Sequence, residues 1–179
     1  SVEAALSGAD LVFASLPNWA RDVVGRAHAR GLTVAVDLQD VRDPADSYRA
    51  DFIAAADHLF ASAAHLDDPV AAAEAWFAAG PASHAVFGMG PRGAMVVQRA
   101  RAGRPLVTHC PPPDLDLPIV DTTGAVDSLA TGFLDGLLFG GLSAQEALHR
   151  GQVLARIVSS ALGGDATFDR ADLDTLCAA

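Results

Sequence analysis

The sequence predicts an α/β fold, a three-layer α/β/α sandwich in which helices cover a mostly parallel sheet with an antiparallel edge hairpin. Short apolar runs alternate with segments whose apolar residues recur at helical spacing. The run at residues 32–38 is β-branched and almost wholly apolar, which is typical of a strand buried on both faces. Beyond Gly90, two short runs are separated by a turn-like stretch, which predicts antiparallel pairing.

The first half of the chain contains three strand–helix pairs and a fourth strand. Gly31 follows the first helix of these pairs, at a position where a left-handed residue commonly ends a helix. The alternation is that of an open parallel sheet. The expected strands are residues 9–15, 32–38, 58–61 and 84–89, and the expected helices are residues 19–30, 47–56 and 69–79.

The second half begins with the predicted hairpin and ends in helices. The proline-rich segment 111–118 cannot be a central strand, because proline has no N–H to donate, so we expect a loop that leads to a strand end at residues 119–120. Ser143 and Glu146 form a capping box at the start of a helix. The expected elements are strands 94–98 and 106–109 and helices 124–139, 143–162 and 169–176.

Composition and charge exclude two classes of partner. The net charge of −10 argues against nucleic acid, because nucleic-acid binders concentrate positive charge on one face. The apolar stretches are interrupted well before the ~20 residues that span a bilayer. Cys110 and Cys177 lie far apart, and neither has a His and carboxylate arrangement beside it. We therefore expect structural thiols in a cytoplasmic protein.

Residues 121–134 carry the most informative pattern. A strand end that runs into a small-residue turn and then a helix leaves unpaired backbone N–H groups beside the carboxylate of Asp127. Such a turn can bind a phosphate oxygen, and the carboxylate can take a proton from a hydroxyl that attacks the phosphate. The alternative is an ordinary helix start with an Asp in its first turn.

The segment DTTGAVDSLATGFLDGLL resembles the second signature of the ribokinase-like, or PfkB, carbohydrate kinases, written D-T-x-G-A-G-D and followed by a helix. The order of the segments GADLVFAS, GLTVAVDLQD, ADHLFAS and GMGPRGAMV is similar as well. The resemblance implies a Rossmann-like sheet, ATP as phosphoryl donor, magnesium, and a sugar or nucleoside hydroxyl as acceptor. It also implies that residues 1–179 form one ribokinase-like domain that is incomplete at its N-terminus.

The resemblance assigns roles to individual residues. Asp127 matches the catalytic base of the family, and the backbone of Gly124, Ala125 and Val126 matches its anion hole. Phosphoryl transfer depends mainly on positioning and electrostatics, which suits preorganised N–H donors beside one carboxylate.

Four further residues match the nucleotide side of the family's site. Asp121 and Thr123 belong to the same signature, while Gly90 and Gly93 match a turn that lies along the nucleotide. Glycine there permits close approach of the backbone. For Gly90 and Gly93 a tight hairpin turn is the alternative interpretation.

The chain departs from the family pattern at several positions. Val126 stands where the family has Gly, and a β-branched residue resists a positive φ, so we expect a strained or partly blocked anion hole. Ser62 and His65 stand where the family has Asn and Glu, and Gly88 stands where it commonly has Thr. No protein ligand to a metal is therefore assigned.

These departures leave two functional hypotheses, a carbohydrate kinase and a catalytically degenerate nucleotide-binding or interaction module. Asp37 and Arg42 fall where relatives carry a D-x-N-x-x-R-like strand end near the acceptor, although a turn residue at the strand end is the alternative for Asp37. If the absent N-terminal part leaves sheet edges exposed, the chain is expected to self-associate as a homo-oligomer.

Overall fold

In the described part of the chain, six strands form one sheet in which each strand lies beside the next one in sequence. The computed structural model describes residues 1–164, 166 and 168–178. The first three strands pair in parallel, and the last three are antiparallel. The strands are β1 (Leu11–Ala14), β2 (Thr33–Asp40), β3 (His58–Ser62), β4 (His84–Gly88), β5 (Ala94–Gln98) and β6 (Leu106–Cys110).

Helices connect and follow these strands. A π-helical turn, Asp135–Phe139, continues the helix that ends at Leu134. The α-helices are α1 (Val2–Leu6), α2 (Asn18–Ala29), α3 (Ala50–Ala55), α4 (Pro69–Ala79), α5 (Ala125–Leu134), α6 (Ala144–Val158) and α7 (Arg170–Cys177). Short 3-10 turns occupy Ser47–Arg49, Gly90–Arg92 and Leu162–Gly164. Within the described residues, no helix is both long and apolar enough to cross a membrane.

The predicted α/β class, with a mostly parallel sheet and antiparallel edge strands, is confirmed. The strand end expected at residues 119–120 is wrong, because these residues belong to no strand and the Val120 N–H donates to Ser159 O, just after α6, at 2.8 Å. The helix expected at 124–139 changes to π geometry at Asp135, and the helix expected at 143–162 ends at Val158. Helix α1 was not predicted.

The chain divides into two compact units. One comprises Ser1–Phe87 and Val97–Val107, and the other comprises Gly88–Val96 and Thr108–Ala179. In the first unit the fully buried Trp76 stacks on Phe87 at 5.5 Å between ring centroids, and its Nε1 donates to Pro44 O at 3.1 Å. Because the indole has a hydrogen-bond acceptor inside the core, its burial leaves no unpaired N–H.

In the second unit, α5 and α6 approach so closely that their backbones touch. A Cβ added to Gly132 would lie 2.7 Å from Gly151 Cα, and one added to Gly151 would lie 2.4 Å from Leu129 O. Real Cβ atoms do not approach backbone atoms this closely, so both positions require glycine. This contact fixes α5 against α6 and thereby positions the start of α5.

The helix contact predicts opposite effects for two Gly-to-Ala substitutions. Gly151→Ala forces the backbones apart and should lower the free energy of unfolding by about 1–3 kcal/mol. Gly25→Ala is the matched control, because a Cβ at Gly25 of α2 meets no atom of the described residues within 4 Å. Ala favours helix there by up to about 1 kcal/mol, so the control should be neutral or stabilising. Urea unfolding measures both; a Gly151→Ala protein as stable as the unaltered one would contradict the close contact.

Two histidines lie together in the first unit, at the starts of β3 and β4. The rings of His58 and His84 are 5.2 Å apart between centroids. His58 is buried, and its Nδ1 has no hydrogen-bond partner among the described residues. Burial lowers the pKa of His58, partly offset by Asp57. Burial, together with the neighbouring His58, lowers the pKa of His84 to about 4.

These lowered pKa values predict that stability falls with acid. Above about pH 6.5 both histidines are neutral whether the chain is folded or unfolded. Between pH 6.5 and the lower folded pKa, only the unfolded chain takes up these protons, so the free energy of unfolding decreases by about 1.4 kcal/mol per pH unit for each one. Unfolding titrations of His84→Gln from pH 7 to 4 should show a shallower decrease, while the exposed control His28→Gln keeps the original slope. An unchanged slope in His84→Gln would contradict this origin.

Candidate functional site

The turn that precedes α5 is held by one carboxylate. Asp121 Oδ1 accepts hydrogen bonds from the N–H and the hydroxyl of Thr123, at 2.9 and 2.8 Å, and Asp121 Oδ2 accepts from the Gly163 N–H at 2.9 Å. The bonds from Thr123 and from Gly163 lower the pKa of Asp121. Asp121 and Thr123 therefore shape the turn; their predicted contact with a nucleotide stays a prediction.

The first turn of α5 brings backbone N–H groups and a carboxylate together. Gly124 caps the helix in a left-handed conformation, with φ of 77°. The Ala125 N–H donates to Thr122 O at 3.1 Å, so the first N–H groups that helix geometry directs beyond the helix end are those of Val126 and Asp127. Asp127 itself is exposed. The anion hole predicted from Gly124, Ala125 and Val126 stays a prediction, with the Ala125 N–H already engaged.

The strain expected at Val126 is not found. Among the described non-glycine residues, only Gln39 has a positive φ, and Val126 lies within α5 in helical conformation. The left-handed residue of this turn is Gly124, two positions earlier. The side chain of Val126 faces Gly88, where its Cγ2 would lie 3.6 Å from an added Cβ. A β-branched residue is therefore accommodated here without backbone strain.

The turn between β4 and β5 has separate reasons for its two glycines. A Cβ at Gly93, which has φ of 89°, would lie 2.2 Å from Cys110 O, so close packing excludes a side chain. Gly90 has φ of 57° but open space around it. The Met89 N–H donates a hydrogen bond to Gly93 O at 2.8 Å. The tight-turn interpretation is thus sufficient for Gly93, and a nucleotide contact at Gly90 and Gly93 stays a prediction.

The residues that replace the family's Asn and Glu are engaged locally. Ser62 Oγ accepts from the Ala64 N–H at 3.2 Å, and His65 Nε2 lies 3.5 Å from Asp40 Oδ2. No three His, Cys, Asp or Glu residues in the described part of the chain are arranged to hold a metal ion.

Sequence reasoning missed a left-handed residue at the end of β2. Gln39 has φ of 58°, and its N–H donates to Asp37 Oδ1 at 2.8 Å. The pairing of β2 with β3 shifts register between Asp37 and Asp40. These contacts support the turn-residue alternative for the buried Asp37. A glycine would have signalled a left-handed position, and glutamine does not.

The two cysteines line one cavity of about 870 Å³ near the C-terminal end of α5. Both are free thiols, and burial raises the pKa of Cys110 and of Cys177. They are protonated and weakly nucleophilic at neutral pH. Arg150 in the same lining is buried between Asp135 and Asp174, at 2.8 and 2.5 Å.

Solved structures similar to this chain include an acarbose kinase and ribokinases. The microbiome-derived acarbose kinase Mak1, labelled with selenomethionine, is 31% identical with a TM-score of 0.87, over 99% of this chain and 58% of that one. The ribokinase of Thermotoga maritima is 18% identical with a TM-score of 0.77, over 100% and 61%. The ribokinase of Arabidopsis thaliana, complexed with ribose and ATP, is 18% identical with a TM-score of 0.75, over 98% and 58%.

The chain thus spans about three fifths of the length of these structures. Comparison with curated protein sequences gives no match. The two ribokinases confirm the ribokinase-like fold that the sequence predicted. The model of the pfkB family carbohydrate kinases matches residues 26–170, which is most of the chain. The chain therefore belongs to the pfkB family of carbohydrate kinases.

Proposed function

We propose that this chain forms the nucleotide side of an ATP-dependent kinase that phosphorylates a sugar hydroxyl. The first turn of α5 carries the proposal, because it sets the exposed carboxylate of Asp127 beside the N–H groups of Val126 and Asp127. A helix start with a left-handed glycine cap favours a bound phosphate, and the carboxylate beside it is a base. Membership of the pfkB family supports the same chemistry.

In the proposed reaction, bound ATP supplies the phosphoryl group that is transferred. Asp127 accepts the proton of the acceptor hydroxyl while the hydroxyl oxygen bonds to the γ-phosphorus. The bond between the γ-phosphorus and the oxygen that bridges it to the β-phosphate breaks, which releases ADP. The N–H groups of Val126 and Asp127 donate to phosphoryl oxygens whose charge rises in the transition state. Asp121 keeps the turn in place through its bonds to Thr123 and Gly163.

The fit of the two implied cofactors differs. The start of α5 and the open space at Gly90 suit the phosphates of a nucleotide. We therefore place four residues beside the bound nucleotide: Gly90, Gly93, Asp121 and Thr123. For magnesium the described residues offer no cluster of three ligating side chains, so no step is assigned to it. A phosphate-bound metal with mostly water ligands would need few protein ligands.

The acceptor is proposed by class. The related structures are named as kinases of acarbose and of ribose-type sugars, which supports a carbohydrate hydroxyl. A nucleoside stays a second candidate. Acarbose, ribose and a nucleoside such as adenosine form a direct test panel, since they differ in size and in the base. A cytoplasmic location and self-association also stay proposals.

The second functional hypothesis is a non-catalytic nucleotide-binding or interaction module. The replacement of Asn and Glu by Ser62 and His65 still favours it, because neither residue supplies a carboxylate. The argument from Val126 has lost its basis, since that residue is unstrained.

The kinase proposal predicts the effect of removing the base. In a chain completed with the N-terminal part that the family resemblance implies, Asp127→Asn should lower kcat by about 10²–10⁴ with little change in ADP affinity. Asp116→Asn makes the same charge change on an exposed loop and should leave kcat unaltered. Coupled measurement of ADP release checks this. A kcat unchanged in Asp127→Asn would rule out the assigned base, and nucleotide binding with no turnover in the unaltered protein would favour the module.

A second prediction concerns the nucleotide alone. Calorimetric titration of this chain with ADP should show binding that weakens several-fold in Gly90→Val. That substitution adds a branched side chain at a left-handed position beside the proposed phosphates, where Val is strained. Gly103→Val is a matched control, because Gly103 is also left-handed, with φ of 81°, and lies in the turn between β5 and β6. Equal loss of affinity in both variants would contradict a specific role for Gly90.

A further inference from the structure

Val126 is seated against the end of β4. A Cβ added to Gly88, the last residue of β4, would lie 3.6 Å from Val126 Cγ2 and 3.7 Å from Leu129 Cδ2. These are ordinary van der Waals separations, so a single methyl group fits. A branched side chain at residue 88 would press on Val126 and Leu129, which already occupy the adjoining space. Because Gly88 has no side chain, the Val126 side chain occupies the space beside the end of β4. We call this contact the Val126 seat.

The seat also bears on the direction of the backbone. Val126 is half-buried, while the adjacent Asp127 is exposed. In a helix the side-chain position and the rotation of the turn about its axis are linked, and the N–H groups run along that axis. Holding the Val126 side chain against Gly88 thus fixes the rotation of the first turn of α5, and with it the positions of the N–H groups of Val126 and Asp127 around the helix axis.

We propose that Val126 is a positioning residue for phosphate binding, and that its side chain acts through its seat on Gly88 and Leu129. The bulk of the valine is directed to the strand end instead of to the phosphates. Phosphate affinity then depends on the size of residue 88, through Val126. This inference deepens the proposed function and rests on it.

Four variants of this chain test the inference, with ADP as the probe in calorimetric titrations. Gly88→Ala places a Cβ at contact distance and should keep ADP affinity within about threefold. Gly88→Val displaces Val126 and should weaken ADP binding by at least about tenfold. Val126→Ala removes the seated methyl groups and should weaken binding by a few-fold. The double variant Gly88→Val with Val126→Ala makes room for the new side chain and should recover most of the affinity.

Recovery in the double variant separates positioning from a merely structural role. Thermal unfolding of all four proteins runs alongside. If Gly88→Val loses stability but keeps its ADP affinity, or if the double variant regains stability without affinity, the inference is overturned. Tight binding by Gly88→Val overturns it directly.

The design also distinguishes this inference from the proposed function. If the unaltered chain binds no ADP, the proposed nucleotide site fails, and the amide NMR signals of Val126 and Asp127 then test the positioning alone. Both signals should move in Gly88→Val, and the Asp127 signal of the double variant should return to its position in Val126→Ala alone. Signals that stay unmoved in Gly88→Val overturn the positioning of the turn by residue 88.

Discussion

The contact between Gly132 and Gly151 is the constraint on which the candidate site depends. At this point neither α5 nor α6 carries a side chain, so the two backbones meet in the register that places Gly132 beside Gly151. Asp127 lies in the first turn of the same helix, five residues before Gly132. A shift of α5 along α6 would move the carboxylate and the N–H groups together, and the glycine contact prevents it.

The segment that leads into α5 is bound to the far end of α6 as well. The N–H groups of Val120 and Asp121 donate to Ser159 O, at 2.8 and 3.2 Å, and Arg156 Nη1 donates to Pro118 O at 2.8 Å. Asp121 reaches the turn beyond α6 through Gly163. Hydrogen bonds to α6 and to the residues that follow α6 therefore hold the segment that leads into α5 in place. Such preorganisation is what phosphoryl transfer requires of a protein.

The sequence predicts those parts of the fold that depend on local patterns. The β-branched run of β2, Pro69 at the start of α4 and the Ser143–Glu146 capping box each act over a few residues, and the structure has all three features. The strand end at residues 119–120 was predicted wrongly, because nothing local shows that Val120 pairs with Ser159. The left-handed Gln39 depends on a bond to Asp37 that its residue type does not signal.

For the candidate site, the same limit applies to Val126. A valine would be strained only if position 126 required a positive φ. In this turn the residue with a positive φ is Gly124. Where the valine side chain goes depends on Gly88, which is distant in sequence. Asp127 and its neighbours could be proposed from the sequence because the whole arrangement lies within one short segment. The packing of Val126 against Gly88 could not be predicted, because Gly88 belongs to another element of the fold.

The most direct test of the nucleotide site is a crystal structure of this chain with ADP. A phosphate oxygen of ADP should lie about 2.7–3.2 Å from the backbone nitrogen of Val126 or Asp127, with the Asp127 carboxylate beside it. ADP phosphates bound elsewhere, for example at the start of α6, with the first turn of α5 facing only solvent, would contradict it.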